Sequence, residues 1–198
     1  LHGGGEDQRG WATQGKTDLI LDNLIAQKKA VPMLVVMVDG NMPARGFGEA
    51  GLRLFEKELK QCVIPFVEEN YRVKRDAGSR ALAGLSMGGL QTLYAGVRNT
   101  GMFAYLGVFS SGWWAQQTDL SNPQYEFMSN NAEKINGDLK QFWISMGGKE
   151  DIAWQNCQIM MKKFDEMNIK YTYSEYPGGH TWPVWRNNLF TFAQLLFK

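Results

Sequence analysis

The sequence predicts an α/β fold with a mostly parallel sheet, and two observations carry this prediction. Short apolar segments alternate along the chain with longer amphipathic ones, as expected where helices connect parallel strands. A G-x-S-x-G motif at 84–88 also lies between an apolar segment and a helix-compatible one. With 198 residues, of which 44% are hydrophobic, the chain is long enough for one domain with a large core.

Five segments have the composition of buried strands, because they are short and rich in β-branched, aromatic or other apolar residues. In chain order these segments are Met33–Val38, Arg80–Leu85, Ala104–Phe109, Gln141–Met146 and Lys170–Tyr176. Amphipathic segments predict helices at about 17–29, 51–70, 87–98, 152–168 and 184–197. This alternation is typical of a parallel sheet with helices on both faces.

The longest predicted helix, residues 51–70, contains Pro65. Because proline lacks a backbone N–H and restricts the residue before it, we expect the helix to kink, or to end just before Ile64. Apolar residues recur in this helix at spacings of three and four, which predicts one buried packing face. That face consists of Leu52, Phe55, Leu59, Cys62, Val63 and Phe66.

Charge and composition argue against several classes of partner. The formal net charge of +1 gives no long-range field that would attract nucleic acid or an anionic membrane. The apolar segment Val31–Val38 is too short to span a bilayer. Cys62 and Cys157 lack metal-ligand spacing and lie in predicted helices, so we expect two free, largely buried thiols. A small molecule or a neutral polymer is the expected partner.

The motif at 84–88 has the form of a nucleophile elbow. A serine on a sharp strand-to-helix turn is held in a strained conformation with its hydroxyl exposed, and the flanking glycines avoid clashes with neighbouring backbone. The N-terminus of the following helix favours a developing oxyanion. This setting predicts acyl transfer through Ser86.

A serine hydroxyl is a weak nucleophile and needs a base within hydrogen-bonding reach. The chain has two histidines, His2 and His180. His180 follows the last predicted strand in a glycine-rich segment, which can bring its imidazole to the carboxyl edge of the sheet where Ser86 also lies. We therefore expect His180 to be the base.

The acid of such a set is expected between the serine and the histidine in chain order, after the strand Gln141–Met146. Asp151 is the preferred candidate, because it is last in its loop and a short carboxylate there can turn inward. Glu150 is the alternative. Asp39 also follows a predicted strand, but it precedes the serine and breaks the order.

An oxyanion hole needs two backbone N–H groups directed at one point. Met87, directly after the serine, is expected to supply one. The glycine run after His2 is similar to the HGGG-type segment that supplies the second donor in lipases and esterases. We assign that donor to Gly4, with Gly3 as the alternative, and expect His2 to brace the loop.

With these residues in place, the chain resembles the putative-esterase family of esterase D-like α/β-hydrolases. The family includes feruloyl esterases of carbohydrate esterase family one, acetylxylan esterases, enterochelin esterases and mycolyltransferases. The likeness runs over nearly the whole chain, and its most specific parts are 64–73, 83–89 and 177–186. The last of these, read as G-G-H-x-W-x-x-W-R, is most similar to feruloyl esterases, whereas S-formylglutathione hydrolases carry a different segment around the histidine.

The resemblance implies an α/β-hydrolase catalytic domain over residues 1–198 that needs no metal or organic cofactor. It implies Ser86 as nucleophile, His180 as base and Asp151 as acid, with Met87 and Gly4 as oxyanion donors. These are the residues that the chain order also favours.

The feruloyl branch implies hydroxycinnamoyl or acetyl esters on a plant cell-wall polysaccharide such as arabinoxylan as substrates. It also implies a secreted or periplasmic enzyme. Trp113, Trp114 and Trp182 are candidates for the wall of the substrate pocket, with core or rim packing as the equal alternative.

Two other functions remain open. An enterochelin-type siderophore esterase would use the same residues on a catecholate ester, although the near-neutral net charge does not favour an anionic ligand. A non-catalytic carbohydrate-binding module on the same scaffold is the second, because a fold alone does not establish an activity.

One feature departs from the family pattern. Family members have several strands before the His-Gly loop, and the strand that ends at this loop lies inside the sheet, between Met33–Val38 and the strand leading to Ser86. An inner strand that is absent leaves unpaired backbone groups on its two neighbours. We therefore expect an N-terminally truncated domain, whose sheet is completed by an upstream segment or by a separate chain.

Overall fold

The computed structural model describes residues 1–43, 47–113 and 123–198. Within these ranges, one four-stranded sheet has the order β1-β2-β3-β4, and every neighbouring pair is parallel. The strands are β1 at Ala81–Leu85, β2 at Tyr105–Phe109, β3 at Gln141–Met146 and β4 at Thr172–Glu175. Four of the five predicted strands are thus confirmed, and their carboxyl ends lie at one edge of the sheet.

The five predicted helices are present among the described residues, with the one predicted at 51–70 divided into two, together with three short helices that were not predicted. The helices are α1 Gly10–Thr13, α2 Thr17–Ala26, α3 Glu49–Glu58, α4 Ile64–Asn70, α5 Met87–Arg98, α6 Pro123–Asn130, α7 Ala132–Asp138, α8 Trp154–Glu166 and α9 Trp182–Ala193. Helices α1, α6 and α7 have eight residues or fewer, too few turns for a clear helical pattern in the sequence. Across the described ranges, no helix has the length and apolar character needed to cross a membrane.

Helices cover both faces of the sheet, because successive strand residues point to opposite sides. In β2, Leu106 and Val108 join a core cluster with residues of α3, α5 and α8. Tyr105 and Phe109 point the other way and join a second cluster with α9 and Trp11. Two apolar cores therefore hold the strand ends in fixed positions.

The predicted interruption at Pro65 is confirmed, because a π-helical turn at Leu59–Val63 separates α3 from α4. Pro65 lies in the first turn of α4, where its missing N–H is tolerated. A π turn takes an extra residue and rotates the side chains after it. The predicted buried face is therefore wrong beyond the turn: Phe66 is 60% exposed, while Ile64 is buried. Earlier members of the face are buried as predicted: Leu52, Phe55 and Leu59.

Both cysteines are free thiols, but they differ in burial. Cys157 lies in the core, and its burial raises the pKa of the thiol, so it behaves as a small apolar side chain. Cys62 is exposed and lies within the π turn. The prediction of burial is therefore confirmed for Cys157 and wrong for Cys62.

The predicted strand at Met33–Val38 is wrong, because this segment forms no strand in the structure. Its side chains are also unusually exposed for their type, with Leu34 at 49% and Val36 at 45%. A strand is defined by hydrogen bonds to a neighbour, and a groove of about 700 Å³ lies between this segment and β1. Segment 31–38 has the composition of a strand, but in the part of the chain that the structure describes no neighbouring strand lies beside it to form the hydrogen bonds.

Leu1 lies beside β1, on the side that faces the groove. Its backbone nitrogen donates to the carbonyl of Ala83 at 2.6 Å, and the N–H of Leu85 donates to the carbonyl of Leu1 at 3.2 Å. These two bonds form the start of a parallel ladder along the edge of β1. The chain then turns at His2 into the glycine run.

Candidate active site

Ser86 lies between β1 and α5 with φ 51° and ψ −115°, a strained conformation for a residue other than glycine. Its N–H donates to the carbonyl of Phe109 at 2.9 Å. The glycines around it are sterically required, since a Cβ on Gly84 would lie 2.3 Å from the carbonyl oxygen of Gly88. Local sequence and strand pairing therefore both impose the strained strand-to-helix turn at Ser86.

Ser111 adds a contact that the sequence pattern did not indicate. This buried residue follows β2, and its hydroxyl donates to the carbonyl of Ser86 at 2.8 Å. The bond anchors the strained turn to the neighbouring strand. Its position after a strand, at the same edge as the other candidates, is the one signal that could have identified it.

The glycine run lies against the elbow, as predicted for an oxyanion loop. The N–H of Gly88 donates to the carbonyl of His2 at 3.0 Å. A Cβ built on Gly3 would lie 3.5 Å from the Cβ of Ser86, so Gly3 is immediately beside Ser86. Gly4 is exposed and lies under the ring of Phe47, which is 2.6 Å from the position of a Gly4 Cβ.

His2 is buried and braces this loop. Its Nε2 accepts the N–H of Gly40 at 2.9 Å, so the ring proton is on Nδ1, which donates to the carbonyl of Gly3 at 2.8 Å. Asp39 lies beside the ring, with 3.2 Å between its Oδ1 and Nε2 of His2. The hydrogen bond from the N–H of Asn41 is the main cause that lowers the pKa of Asp39.

Asp151 and His180 form a hydrogen-bonded pair. The carboxylate is 3% exposed and accepts Nδ1–H of His180 at 2.8 Å and the N–H of Ala153 at 2.9 Å. Burial raises the pKa of Asp151, but hydrogen bonds, foremost the one to His180, outweigh it and the net pKa is lowered. Glu150 is exposed, whereas the hydrogen bond of His180 goes to Asp151, so the geometry favours Asp151 over Glu150.

The loops that carry this pair are bonded directly to each other. The N–H of Gly148 donates to the carbonyl of Gly178 at 2.6 Å. Gly178 has φ 118°, which favours glycine, and a Cβ on Gly147 would lie 2.3 Å from the Gly178 oxygen. The ring of His180 packs edge-on against Trp185, with centroids 5.0 Å apart. The glycine-rich composition thus permits the close approach of the loops that carry Asp151 and His180.

The three candidate pocket tryptophans have different environments. Trp113 is 1% exposed and packs between Tyr125 and Phe164, so its ring belongs to the core and the pocket-wall alternative does not describe it. Trp114 lies outside the described residues. Trp182 is half-buried, and its Nε1–H donates to Oε1 of Glu6 at 2.9 Å.

The fold and the elbow together define the class of protein. A parallel sheet with helices on both faces, and a strained serine between a strand and the helix that follows, is the α/β-hydrolase fold. The model of the family described as "Putative esterase" matches residues 2–195. The chain belongs to this family, and it is therefore classed with the carboxylic ester hydrolases.

Similar proteins agree with this membership. The chain is 34% identical over 200 residues to the endo-1,4-beta-xylanase/feruloyl esterase of Xylanibacter ruminicola, a match that covers 100% of this chain and 26% of that protein. The chain thus spans about a quarter of the length of this curated relative.

Two solved structures have the same fold over nearly the whole chain. The feruloyl esterase module from Clostridium thermocellum, complexed with sinapinate, has a TM-score of 0.81 and 25% identity, and the match covers 99% of this chain and 75% of the module. A ferulic acid esterase from the anaerobic fungus Anaeromyces mucronatus has a TM-score of 0.82, with coverage of 100% and 76%. At 21% identity, the fungal protein shows the fold alone.

Proposed function

We propose that the chain is the catalytic domain of a serine esterase, with Ser86 as nucleophile, His180 as general base and Asp151 as the orienting acid. The observation that carries this proposal is the 2.8 Å hydrogen bond between Nδ1 of His180 and Asp151. Because Nδ1 donates to the carboxylate, Nε2 is the unprotonated nitrogen and can accept the proton of a serine hydroxyl.

The reaction proceeds through an acyl-enzyme. Oγ of Ser86 attacks the ester carbonyl while Nε2 of His180 takes the hydroxyl proton, and the buried carboxylate of Asp151 stabilises the imidazolium. The backbone N–H groups of Met87 and Gly4, or of Gly3 in its place, donate to the oxyanion of the tetrahedral intermediate. His180 then returns its proton to the leaving alcohol. Water, deprotonated by His180, attacks the acyl group and releases the acid.

The proposed substrates are hydroxycinnamoyl or acetyl esters on a plant cell-wall polysaccharide such as arabinoxylan. Two similar proteins support this choice: the Xylanibacter ruminicola relative is a xylanase/feruloyl esterase, and the Clostridium thermocellum feruloyl esterase module was solved with sinapinate. A polymeric substrate of this kind lies outside the cell, so we also propose a secreted or periplasmic location.

Labelling with a serine-directed fluorophosphonate tests the chemistry. We expect one adduct, mapped to Ser86, and its absence in Ser86→Ala. This variant should also lose hydrolysis of methyl ferulate by several powers of ten, because the three residues act as a unit. Near-normal turnover by Ser86→Ala, or no adduct in the wild type, would contradict the proposal; the second result is the one expected of a non-catalytic binding module.

A panel of esters tests the substrate class. Hydrolysis rates of methyl ferulate, acetylated xylan and a catecholate ester are compared at equal enzyme concentration. We expect the ferulate or the acetyl ester to be the fastest. A preference for the catecholate ester would instead identify a siderophore esterase with the same catalytic residues.

We further propose that an additional strand completes the sheet between β1 and the segment 31–38. Along β1, the N–H of Ser86 faces β2, so by alternation Ala83 and Ala81 face the groove. The Leu1 pairing with Ala83 starts a parallel ladder that a strand in the groove would extend. Such a strand would come from an upstream segment of the polypeptide or from a separate chain.

A further inference from the structure

Glu6 joins two loops of the candidate site that are far apart in the sequence. Its Oε1 accepts Nε1–H of Trp182 at 2.9 Å and Nε2–H of Gln14 at 3.2 Å. Glu6 directly follows the glycine run, while Trp182 lies two residues after His180. A hydrogen bond to a carboxylate is stronger than one between neutral groups, so this contact restrains the separation of the two loops.

On the side of the proposed nucleophile, Glu6 lies beside the glycine run. Its Oε2 is 3.9 Å from the position of a Cβ on Gly3, and that same position is 3.5 Å from the Cβ of Ser86. Oε2 is shielded from solvent and is also 3.3 Å from the position of a Cβ on Gly10. The carboxylate of Glu6 and the side chain of Ser86 therefore both lie close to Gly3 in the glycine run.

On the side of the base, packed rings connect Trp182 to His180. Trp182 makes edge-to-face contacts with Trp11 at 5.2 Å and with Trp185 at 5.1 Å between centroids. Trp185 makes the same type of contact with the ring of His180 at 5.0 Å. Rings packed in this way have few alternative arrangements, so a displacement of Trp182 is transmitted to His180.

We propose that Glu6 is a positioning residue, which through Trp182 holds the oxyanion loop at a fixed distance from His180. This inference rests on the proposed esterase function. The oxyanion donors and the base must act on the same substrate carbonyl group, and a misplacement of about 1 Å can cost about 100-fold in rate. The hydrogen bond between Glu6 and Trp182 therefore stabilises the transition state by keeping these groups in place. Trp182 acts mainly by holding this geometry and not as a wall of the substrate pocket.

Kinetics of four variants test the inference: Glu6→Ala, Glu6→Gln, Trp182→Phe and the double variant of Glu6→Ala with Trp182→Phe. We expect Glu6→Ala and Trp182→Phe to lower kcat for methyl ferulate about 10- to 100-fold, with little change in KM. The double variant should be no slower than the slower single variant, because both changes break the same bond. Glu6→Gln should retain most of kcat, since its amide oxygen still accepts the indole N–H.

A matched control uses a carboxylate contact elsewhere in the chain. Glu56 accepts Nδ2–H of Asn99 at 2.7 Å, at the opposite end of α5 from Ser86. Twelve helical residues span about 18 Å, so Glu56→Ala should leave kcat unchanged. Circular dichroism and melting temperature establish that each variant is folded. If Glu6→Ala is unfolded, Glu6→Gln and Trp182→Phe decide the outcome.

The outcomes separate this inference from the proposed function. If the wild type neither hydrolyses esters nor labels at Ser86, the proposed function fails. If the wild type is active and Glu6→Ala keeps kcat within about twofold, the positioning role alone is overturned. An effect of Trp182→Phe on KM alone also overturns the positioning role, because such an effect is expected of a residue in the wall of the substrate pocket. A double variant whose loss in kcat equals the product of the two single losses overturns it as well. Slower labelling of Ser86 in Glu6→Ala, by a factor similar to that in kcat, supports it.

Discussion

At the residue scale, two histidines of one chain receive different roles from their neighbours. The N–H of Gly40 occupies Nε2 of His2, so this ring can only brace the loop. Asp151 instead binds Nδ1 of His180 and leaves Nε2 to accept a proton. Chain order singled out His180 and Asp151, which the structure brings into contact, whereas the contact between residues 2 and 40 depends on tertiary packing that no local pattern encodes.

The variant Asp151→Asn tests the orientation of the imidazole. The amide can donate to Nδ1 of His180, which favours the tautomer with its proton on Nε2, and this tautomer cannot accept the serine proton. We expect kcat for methyl ferulate to fall about 10⁴-fold, the loss known for this substitution in a serine protease, while the fold is kept. The matched control is Glu150→Gln, an exposed carboxylate one residue earlier, which should keep its activity. A greater loss in Glu150→Gln would reassign the acid.

At the element scale, the sequence predicted what depends on local pattern and missed what depends on partners. The four strands β1 to β4 were predicted because apolar composition and flanking turns are local properties. Met33–Val38 has the same composition, but strand geometry also needs a hydrogen-bonded neighbour. Pro65 correctly indicated an interruption, yet the periodicity of the helix could not indicate that a π turn would expose Phe66.

The close approach within the strand–turn–helix unit makes it intolerant of an added methyl group. In Gly84→Ala, the new Cβ would lie 2.3 Å from a backbone oxygen of Gly88, so we expect the free energy of unfolding to fall by about 1–3 kcal/mol. The control is Gly137→Ala in α7, where a Cβ has no neighbour within 4 Å and should stabilise the helix by about 0.5–1 kcal/mol. Urea denaturation measures both, and equal effects of the two changes would contradict the steric explanation.

At the scale of the whole molecule, both faces of the sheet are covered, while its edge at β1 borders a groove. Two apolar clusters pack its faces, while the outer side of β1 borders the groove in which we propose an additional strand. This side also carries the exposed apolar segment 31–38. Neither composition nor net charge indicated a groove, which follows only from how strands are arranged next to one another.

Hydrogen exchange of single amides tests the additional strand. In the 198-residue chain by itself, the amide of Ala83 faces the groove and should exchange much faster than that of Gly84, which faces β2. In the longer polypeptide, or with a separate chain bound, the Ala83 amide should become as protected as that of Gly84. Equal protection of the two amides in the 198-residue chain alone would show that nothing further is needed to complete the sheet.

The hydrogen bond between Gly148 and Gly178 joins the loops of Asp151 and His180, so the candidate site consists of two structural units. Asp151 and His180, the proposed acid and base, share one backbone unit, because their loops are joined by a hydrogen bond of 2.6 Å. Ser86 and the glycine run form a second unit around the start of α5. A small distortion of the domain would therefore leave the acid–base separation unchanged and alter the spacing between the two units. A site that adapts to a larger or smaller ester can therefore do so by changing the spacing between these two units. Substitutions of the residues that connect the units should change substrate preference while the catalytic groups stay in place.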